Sequence, residues 1–398
     1  MERPLEGIRV LDLARVLSGP HCAMLLGDLG AEVIKVEKPN EGDMTRSNPP
    51  EYNGESTYFM AHNRNKKGIT LNFRKPQARE LFLQLVKTAD VVIENFRAGT
   101  MEKMGLGYDV LHEANPKIIL TRISGYGQTG PYASRGCFDG AAQAMSGMVE
   151  ITGDPQGSPY MTGTYIIDYA SALYAAIGTL AALRTAERTG EGQVVDVALL
   201  DAAVSLLHTA VPDYMLLGQE MTRNGNNDRY MWPANIYPAK EGRWVYIHAG
   251  MEHCYKAILK EMGRTEVLED ERHGKTREAR STPEGRRFND EMIRTWTMAH
   301  TADEIVERLS ILGIPCAKVN TIGEAMEDPQ LRHRGMLAKY CRKNGEEGIL
   351  AGSVPHFSGS EFAIELPPPR LGEHNEAVYA ELGLSREEIA CLKDDDVI

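Results

Sequence analysis

The chain has few of the features that assign a protein quickly. Its 398 residues include six cysteines, Cys22, Cys137, Cys254, Cys316, Cys341 and Cys391, of which the nearest two stand 25 positions apart. With no CxxC pair, neither a structural zinc site nor a redox dithiol is expected. The longest nearly apolar stretch, Tyr169 to Leu183, is too short for a bilayer span and ends at Arg184, so it reads as a buried core helix. No charged and apolar leader follows Met1. A secretory signal is therefore not expected, and a reducing cytoplasm is. There is also no Walker A lysine loop, no HExxH and no GxSxG. The eleven histidines lack metal-ligand spacing, and His248 with His253 misses the helical i, i+4 step.

What is present describes a soluble globular protein of roughly two domains, with 42% hydrophobic and 25% charged residues. The 44 Lys and Arg against 56 Asp and Glu leave a net charge of −12, which repels polyanions unless cations gather locally. Nucleic acid and anionic membrane are thus unexpected partners. Strand-like runs alternate with helix-like segments through the first half: Ile8 to Leu13, a break at Gly19-Pro20, a helix His21 to Leu29, and a strand Glu32 to Val36. A helix near Gln77 to Lys87 and strands Asp90 to Glu94 and Ile118 to Ile123 continue the cycle. Such alternation predicts a mostly parallel sheet covered on both faces. A strand Gln193 to Val197 leads into a long helix, Ala198 to Leu217. An α+β unit follows at about 225–325, with a strand Trp244 to His248, a capping box of Thr301 with Glu304, and a strand in IPCAKV. Pro367 to Pro369 introduces two final capped helices, the second opened by Ser385 with Glu388.

A strand, turn, helix and second strand at the start imitate a dinucleotide-binding unit, but Val16-Leu17-Ser18-Gly19-Pro20 is not GxGxxG, so a nicotinamide cofactor is not expected. Three other features carry possible chemistry. The run Ala61 to Lys75 holds Arg64, Lys66, Lys67, Arg74 and Lys75 without an acid. It is either a solvated face or, with Lys38, Arg46, Arg97 and Lys103, a site for a phosphorylated small molecule. Asp168 precedes a run of small and apolar residues. It is either an N-cap or an aspartate kept ionised by helix N–H groups and able to attack an activated acyl group. Gly125, Gly127 and Gly130 lie in a Gly-rich loop that is either structural or open to close ligand approach.

In combination these segments resemble class III CoA-transferases, the family that includes formyl-CoA:oxalate CoA-transferase and the carnitine CoA-transferases. The resemblance rests on LEGIRVLDLARVLSGPHCAMLLGDLGAEVIKVEKP, GDMTR, NRNKKGITLNF, DVVIENFRAGTMEKMGLGY, NPKIILTRISGYGQTGP, the Asp168 segment, TGEGQVVDVALLDA and LGEHNEAVYAELGL, in order over nearly the whole chain. It implies an α/β fold with a Rossmann-like large domain at 1–200 plus 345–398 and an inserted smaller α+β domain at 225–325. Segments 201–224 and 326–344 would be linkers, and two chains would thread through one another as an interlocked-ring homodimer. The substrates implied are an acyl-CoA and a small carboxylic acid, with no permanently bound cofactor and no metal.

The resemblance also implies residue roles. Asp168 matches the family's nucleophile, which forms an aspartyl anhydride and then an aspartyl-CoA thioester. CoA-contacting positions match Val16, Leu17, Ser18, Lys38, Leu71, Asn72, Phe73, Arg74, Asn95, Phe96, Arg97 and Lys103. Lys38 and Lys103 replace arginines of the formyl-CoA enzymes, and Arg135 stands beside Gly136, where those enzymes carry a basic contact. A sister branch racemises 2-methylacyl-CoA with a histidine where this chain has Phe138, so racemisation lacks a proton carrier. Asp139 reads as an anchor for its loop. A third alternative is a CoA-binding partner subunit without turnover, against which the presence of Asp168 stands. The glycine lid of the formyl-CoA enzymes is missing, since Asn224 to Ala239 contains only Gly225, so oxalate is not the expected acid. Packing is the expected role of Tyr230, Met231 and Trp232.

Overall fold

The structure, a computed structural model, describes residues 3–398. It divides into two compact units, one formed by the chain up to Met148, Met161–Pro212 and Pro329–Ile398, the other by Val149–Tyr160 and Asp213–Asp328.

The first unit is built on strands β1 (Arg9–Asp12), β2 (Glu32–Glu37), β3 (Lys66–Thr70), β4 (Val91–Glu94), β5 (Ile119–Ser124) and β6 (Val194–Ala198). They lie in the order β3-β2-β1-β4-β5-β6, all parallel. This is the doubly wound order, with its switch point between β1 and β4. Successive residues of each strand point to opposite faces and both faces are buried. Val10, Val33, Val91 and Ile119 enter one core, and Leu11, Ile34, Val92 and Leu120 the other. The first core is closed by α1 (Ser18–Asp28) and by α4 (Ile166–Thr189), the second by α2 (Pro76–Val86) together with α10 (Asn375–Glu381) and α11 (Arg386–Asp394). Between α2 and α4 lies α3 (Asp139–Ser146). The C-terminal tail thus completes the core of the N-terminal sheet: Tyr379 donates its hydroxyl to the Thr70 carbonyl at 2.6 Å, and Asn72 N–H donates to the Val397 carbonyl at 2.8 Å.

Several expectations are corrected. Gly19-Pro20 does not break the chain but lies in the first turn of α1, where proline's missing N–H costs nothing. The long helix expected over Ala198 to Leu217 is two, α5 (Leu199–Ser205) and α6 (Ala210–Leu217), because His208 takes a positive φ of 53° and Pro212 cannot continue a helix already running through 208. The helix α4 is not wholly interior. Its alanines and Gly178 pack on the sheet, and a Cβ at Gly178 would stand 2.7 Å from Val195 Cγ1, while Leu173, Tyr174 and Ile177 are exposed. Of the two C-terminal helices only α11 carries the capping box, with Ser385 and Glu388.

The second unit contains a three-stranded antiparallel sheet of β7 (Ala234–Pro238), β8 (Trp244–His248) and β9 (Cys316–Lys318), with β8 central. Helices α7 (Glu252–Glu261), α8 (Pro283–Thr297) and α9 (Ala302–Ile311) surround its core, and the Thr301–Glu304 capping box opens α9. The short segment Val149–Tyr160, which belongs to this unit, carries no sequence signal of its own. Back in the first unit, β10 (Leu337–Cys341) and β11 (Glu347–Ala351) form an antiparallel hairpin.

Candidate active site

In a doubly wound sheet the crevice for a ligand opens at the carboxyl ends of the strands, at the switch point. Here a cavity of about 130 Å³ occupies that place. The loop after β1 contributes Arg15, Val16, Leu17 and Ser18, the end of β4 gives Asn95 and Phe96, and the end of β5 gives Ile123, Ser124 and Gly125. Cys137, Phe138, Leu199 and Asp168 complete the lining. The walls of the switch point are tied together, because Arg15 N–H donates to Asn95 Oδ1 at 2.8 Å and Asn95 Nδ2 donates to the Arg15 carbonyl at 2.7 Å. Gly125 is required by close approach: a Cβ there would stand 2.1 Å from that of Cys137. A larger cavity of about 750 Å³ lies elsewhere in this unit; two of its charged groups, Asp28 and Arg3, are paired with Arg64 and Glu365. The smaller cavity is the one that holds Asp168.

Asp168 is the third residue of α4, not its N-cap; the cap position is Tyr165 and makes no side-chain capping bond. The capping is supplied from another helix. Asp139, at the start of α3, accepts the N–H of Ile167 at 2.7 Å and that of Asp168 at 3.2 Å through one oxygen, and is itself bonded by Gln143. The Asp168 carboxylate has no hydrogen-bond or ion-pair partner among the described residues. Burial, followed by the charge of Asp139, pushes its pKa up to about 7. The expectation that helix N–H groups keep this carboxylate ionised is therefore corrected, because Asp139 takes those N–H groups and adds a like charge.

Beside Asp168 lies a buried cluster that sequence reasoning missed. His62 Nδ1 donates to the Tyr58 carbonyl at 2.9 Å, so its Nε2, 3.1 Å from the Tyr169 hydroxyl, is the acceptor of that O–H. His21 packs edge-on against Tyr169 at 4.9 Å. Burial lowers His62 to about 4 and, together with the neighbouring His62, lowers His21 to about 3. Both rings are neutral at pH 7. In sequence these positions are scattered singly, and only the fold gathers them.

The basic run is mostly internal. Lys66 is fully buried and donates to Asp12 at 2.7 Å, the Pro20 carbonyl at 2.8 Å and Asn63 Oδ1 at 2.9 Å. Arg64 is paired with Asp28 at 2.7 Å, Arg46 with Glu37 at 2.6 Å, and Lys67 with Glu32. Their reading as a polyanion site is corrected, since Asp12, Asp28, Glu37 and Glu32 neutralise them within the fold. Five of the residues matched to CoA contacts, Val16, Leu17, Ser18, Asn95 and Phe96, line the cavity with Asp168. Leu71 and Asn72 turn inward, with Asn72 Nδ2 donating to the Asp396 carbonyl at 2.9 Å, and Phe73 packs against Phe82 at 5.4 Å. Arg74, Arg97 and Lys103 are exposed without an acidic partner among the described residues, whereas Lys38 is paired with Glu41. Arg135 stacks over Tyr132 at 3.9 Å, and the Arg97 guanidinium approaches Gly136, where a Cβ would stand 3.1 Å from its Nη2. Arg15, which sequence reasoning did not select, is an exposed cation lining the cavity, its guanidinium 5.4 Å from the Phe96 ring centre. A charge directly after a buried strand was the available signal. Among the described residues no group of three or more His, Cys, Asp and Glu side chains is arranged to hold a metal ion.

Comparison with known proteins places this geometry. The model of CoA-transferase family III matches residues 5–375. The chain is 37% identical to the succinyl-CoA–D-citramalate CoA-transferase of Chloroflexus aurantiacus, covering 100% of this chain and 98% of that protein. It is 35% identical to the succinyl-CoA:glutarate CoA-transferase of Mus musculus, over 96% of this chain and 86% of that one. Among solved structures, a CAIB/BAIF family protein from Brucella suis superposes with a TM-score of 0.86 at 35% identity, covering 96% of this chain and 100% of the other. The chain is therefore an enzyme of CoA-transferase family III.

Proposed function

We propose that the enzyme transfers CoA from succinyl-CoA to a short dicarboxylic acid through a covalent intermediate on Asp168. The observation that carries this reading is a buried carboxylate, without a cation or hydrogen-bond donor of its own among the described residues, in the cavity at the switch point. A carboxylate in that setting is poorly solvated and reactive once ionised. Its oxygen attacks the thioester carbonyl, the C–S bond breaks, and CoA thiolate leaves behind a mixed anhydride. The thiolate then attacks the aspartyl carbonyl, succinate departs, and Asp168 carries CoA as a thioester. The acceptor carboxylate attacks that thioester and expels the thiolate, which takes the new acyl group and returns Asp168 as a carboxylate. No water enters, so the activation of the thioester passes intact from one acid to the other.

Dicarboxylic substrates are supported by those of the two relatives and by Arg15, a cation on the cavity wall with no acidic partner among the described residues and suited to a second carboxylate. CoA lies along Val16, Leu17, Ser18, Asn95 and Phe96, with its phosphates toward Arg74, Arg97, Lys103 and Arg135, and with Lys38, Leu71, Asn72 and Phe73 flanking. Phe138 offers no proton to a racemase. Apart from Val149–Tyr160, which belongs to the second unit, and the stretch from Pro329, which belongs to the first, the domains are read as 1–200 with 345–398 for the large one and 225–325 for the inserted one, joined by 201–224 and 326–344. The apolar faces at Leu173, Tyr174 and Ile177 and at Met215, Leu216 and Leu217 are covered in an interlocked homodimer. The test is to incubate the protein with succinyl-CoA and a panel of acids, follow CoA exchange, and map hydroxylamine-sensitive adducts by mass spectrometry. An Asp168→Ala variant that exchanged CoA at the wild-type rate would sink the proposal.

A further inference from the structure

Val16, on the wall of the Asp168 cavity, has φ +69°. A β-branched residue adopts that left-handed conformation only where its surroundings impose it. The surroundings here are a buried set of charges. Val16 N–H donates to the Asp43 carboxylate, at 3.1 Å to Oδ2 and 3.4 Å to Oδ1. Asp43 is buried and receives Lys35 Nζ at 3.3 Å, and the same ammonium donates to the Ala14 carbonyl at 2.9 Å. Asp12, held by Lys66, accepts the Ala14 N–H at 3.0 Å, and Asn95 takes both backbone groups of Arg15. Three consecutive residues of the turn are thus fixed by side chains from β1, β2 and the segments after β2 and β4.

We infer that Asp43 is a positioning residue: braced by Lys35, its carboxylate holds Val16 left-handed and thereby sets the wall against which the acyl-CoA lies. The inference rests on the proposed CoA-binding role of this turn. Asp43 also caps the turn at Met44–Ser47, accepting Thr45 N–H at 3.0 Å. That ordinary role predicts lost stability and nothing specific about residue 16. Glycine adopts positive φ freely, so in a Val16→Gly background the clamp becomes redundant.

The experiment is a double-mutant cycle on the full chain, with affinity for free CoA read by calorimetric titration and folding by thermal melting. In the Val16 background Asp43→Asn weakens CoA binding about 10-fold; in the Val16→Gly background the same change costs about 2-fold or less. Equal losses in both backgrounds, or no loss in the first, overturn the inference. If the wild type itself does not bind CoA, the functional reading falls instead. Should Asp43→Asn not fold, Val16→Gly is compared with Val16→Ala in the presence of Asp43: the glycine variant melts higher, and a lower melting point overturns the inference.

Discussion

Two buried aspartates stand at the same end of the sheet, and their surroundings send them in opposite directions. Burial pushes both carboxyls up. At Asp43 the Lys35 ammonium and the N–H groups of Thr45 and Val16 outweigh burial and hold the group below the usual carboxylate range. At Asp168 no cation and no donor among the described residues answers, Asp139 adds a like charge, and the carboxyl rises to about 7. Burial alone does not assign a role to an acid; the partners that accompany it do. One carboxylate is neutralised into architecture, and the other is left exposed to chemistry.

The largest expected effect tests the reactive member. Asp168→Asn should lower CoA exchange on the order of 10,000-fold, as loss of a covalent nucleophile does, while leaving the melting transition cooperative. Residual exchange within tenfold of wild type would place the nucleophile elsewhere. The structural member should fail differently. Lys35→Met strands Asp43 as a buried charge and should cost about 3–5 kcal/mol in urea unfolding at pH 7. Because the folded pKa of Asp43 is depressed, its favourable contribution is present above its unfolded pKa and lost as pH falls through the folded one. The penalty of Lys35→Met should therefore shrink in acid.

A third measurement separates the pair by sign. The folded pKa of Asp168, about 7, lies above its unfolded value, so ionisation opposes folding increasingly as pH rises toward 7. Asp168→Asn should accordingly stabilise the protein by roughly 2–4 kcal/mol at pH 8 and by nothing measurable near pH 4, seen as a melting temperature raised only at the higher pH. A variant destabilised at both would show that the carboxylate is held by partners after all. The smallest effect is on the acid limb of kcat/KM, which should titrate near pH 7 in the wild type. Removing the like charge with Asp139→Asn should move that limb down by about one unit or less in a pH–rate profile. An unmoved limb would leave burial as the only cause.

Much of the large unit was legible in sequence. Buried strands such as Arg9–Asp12 and Ile119–Ser124 read directly from apolar runs, and the boxes at Thr301–Glu304 and Ser385–Glu388 from spacing, because each depends on neighbours a few residues apart. The break between α5 and α6 was not, since the apolar pattern crosses it and Pro212 sits early enough to start a helix as well as to stop one. In the site, Asp168 was legible as a position but not as a state. Burial, and after it the charge of Asp139 from 29 residues earlier in the chain, decide its pKa. The basic run misled because sequence displays cations without their partners: Lys66 reaches Asp12 across 54 residues, and Lys67 reaches Glu381 across 314.

By itself the sequence determined the parallel α/β class, the family resemblance and Asp168 as the candidate nucleophile, all of which rest on local patterns and their order. Tertiary structure alone decided which cations are spent inside the protein, that Val16 is left-handed and donates to Asp43, and that Asp168 has no partner among the described residues. The physical reason is that a charge acquires its energy from whatever shares its low-dielectric surroundings, and the chain writes those neighbours far apart, 29 residues for Asp168 and Asp139, 54 for Lys66 and Asp12.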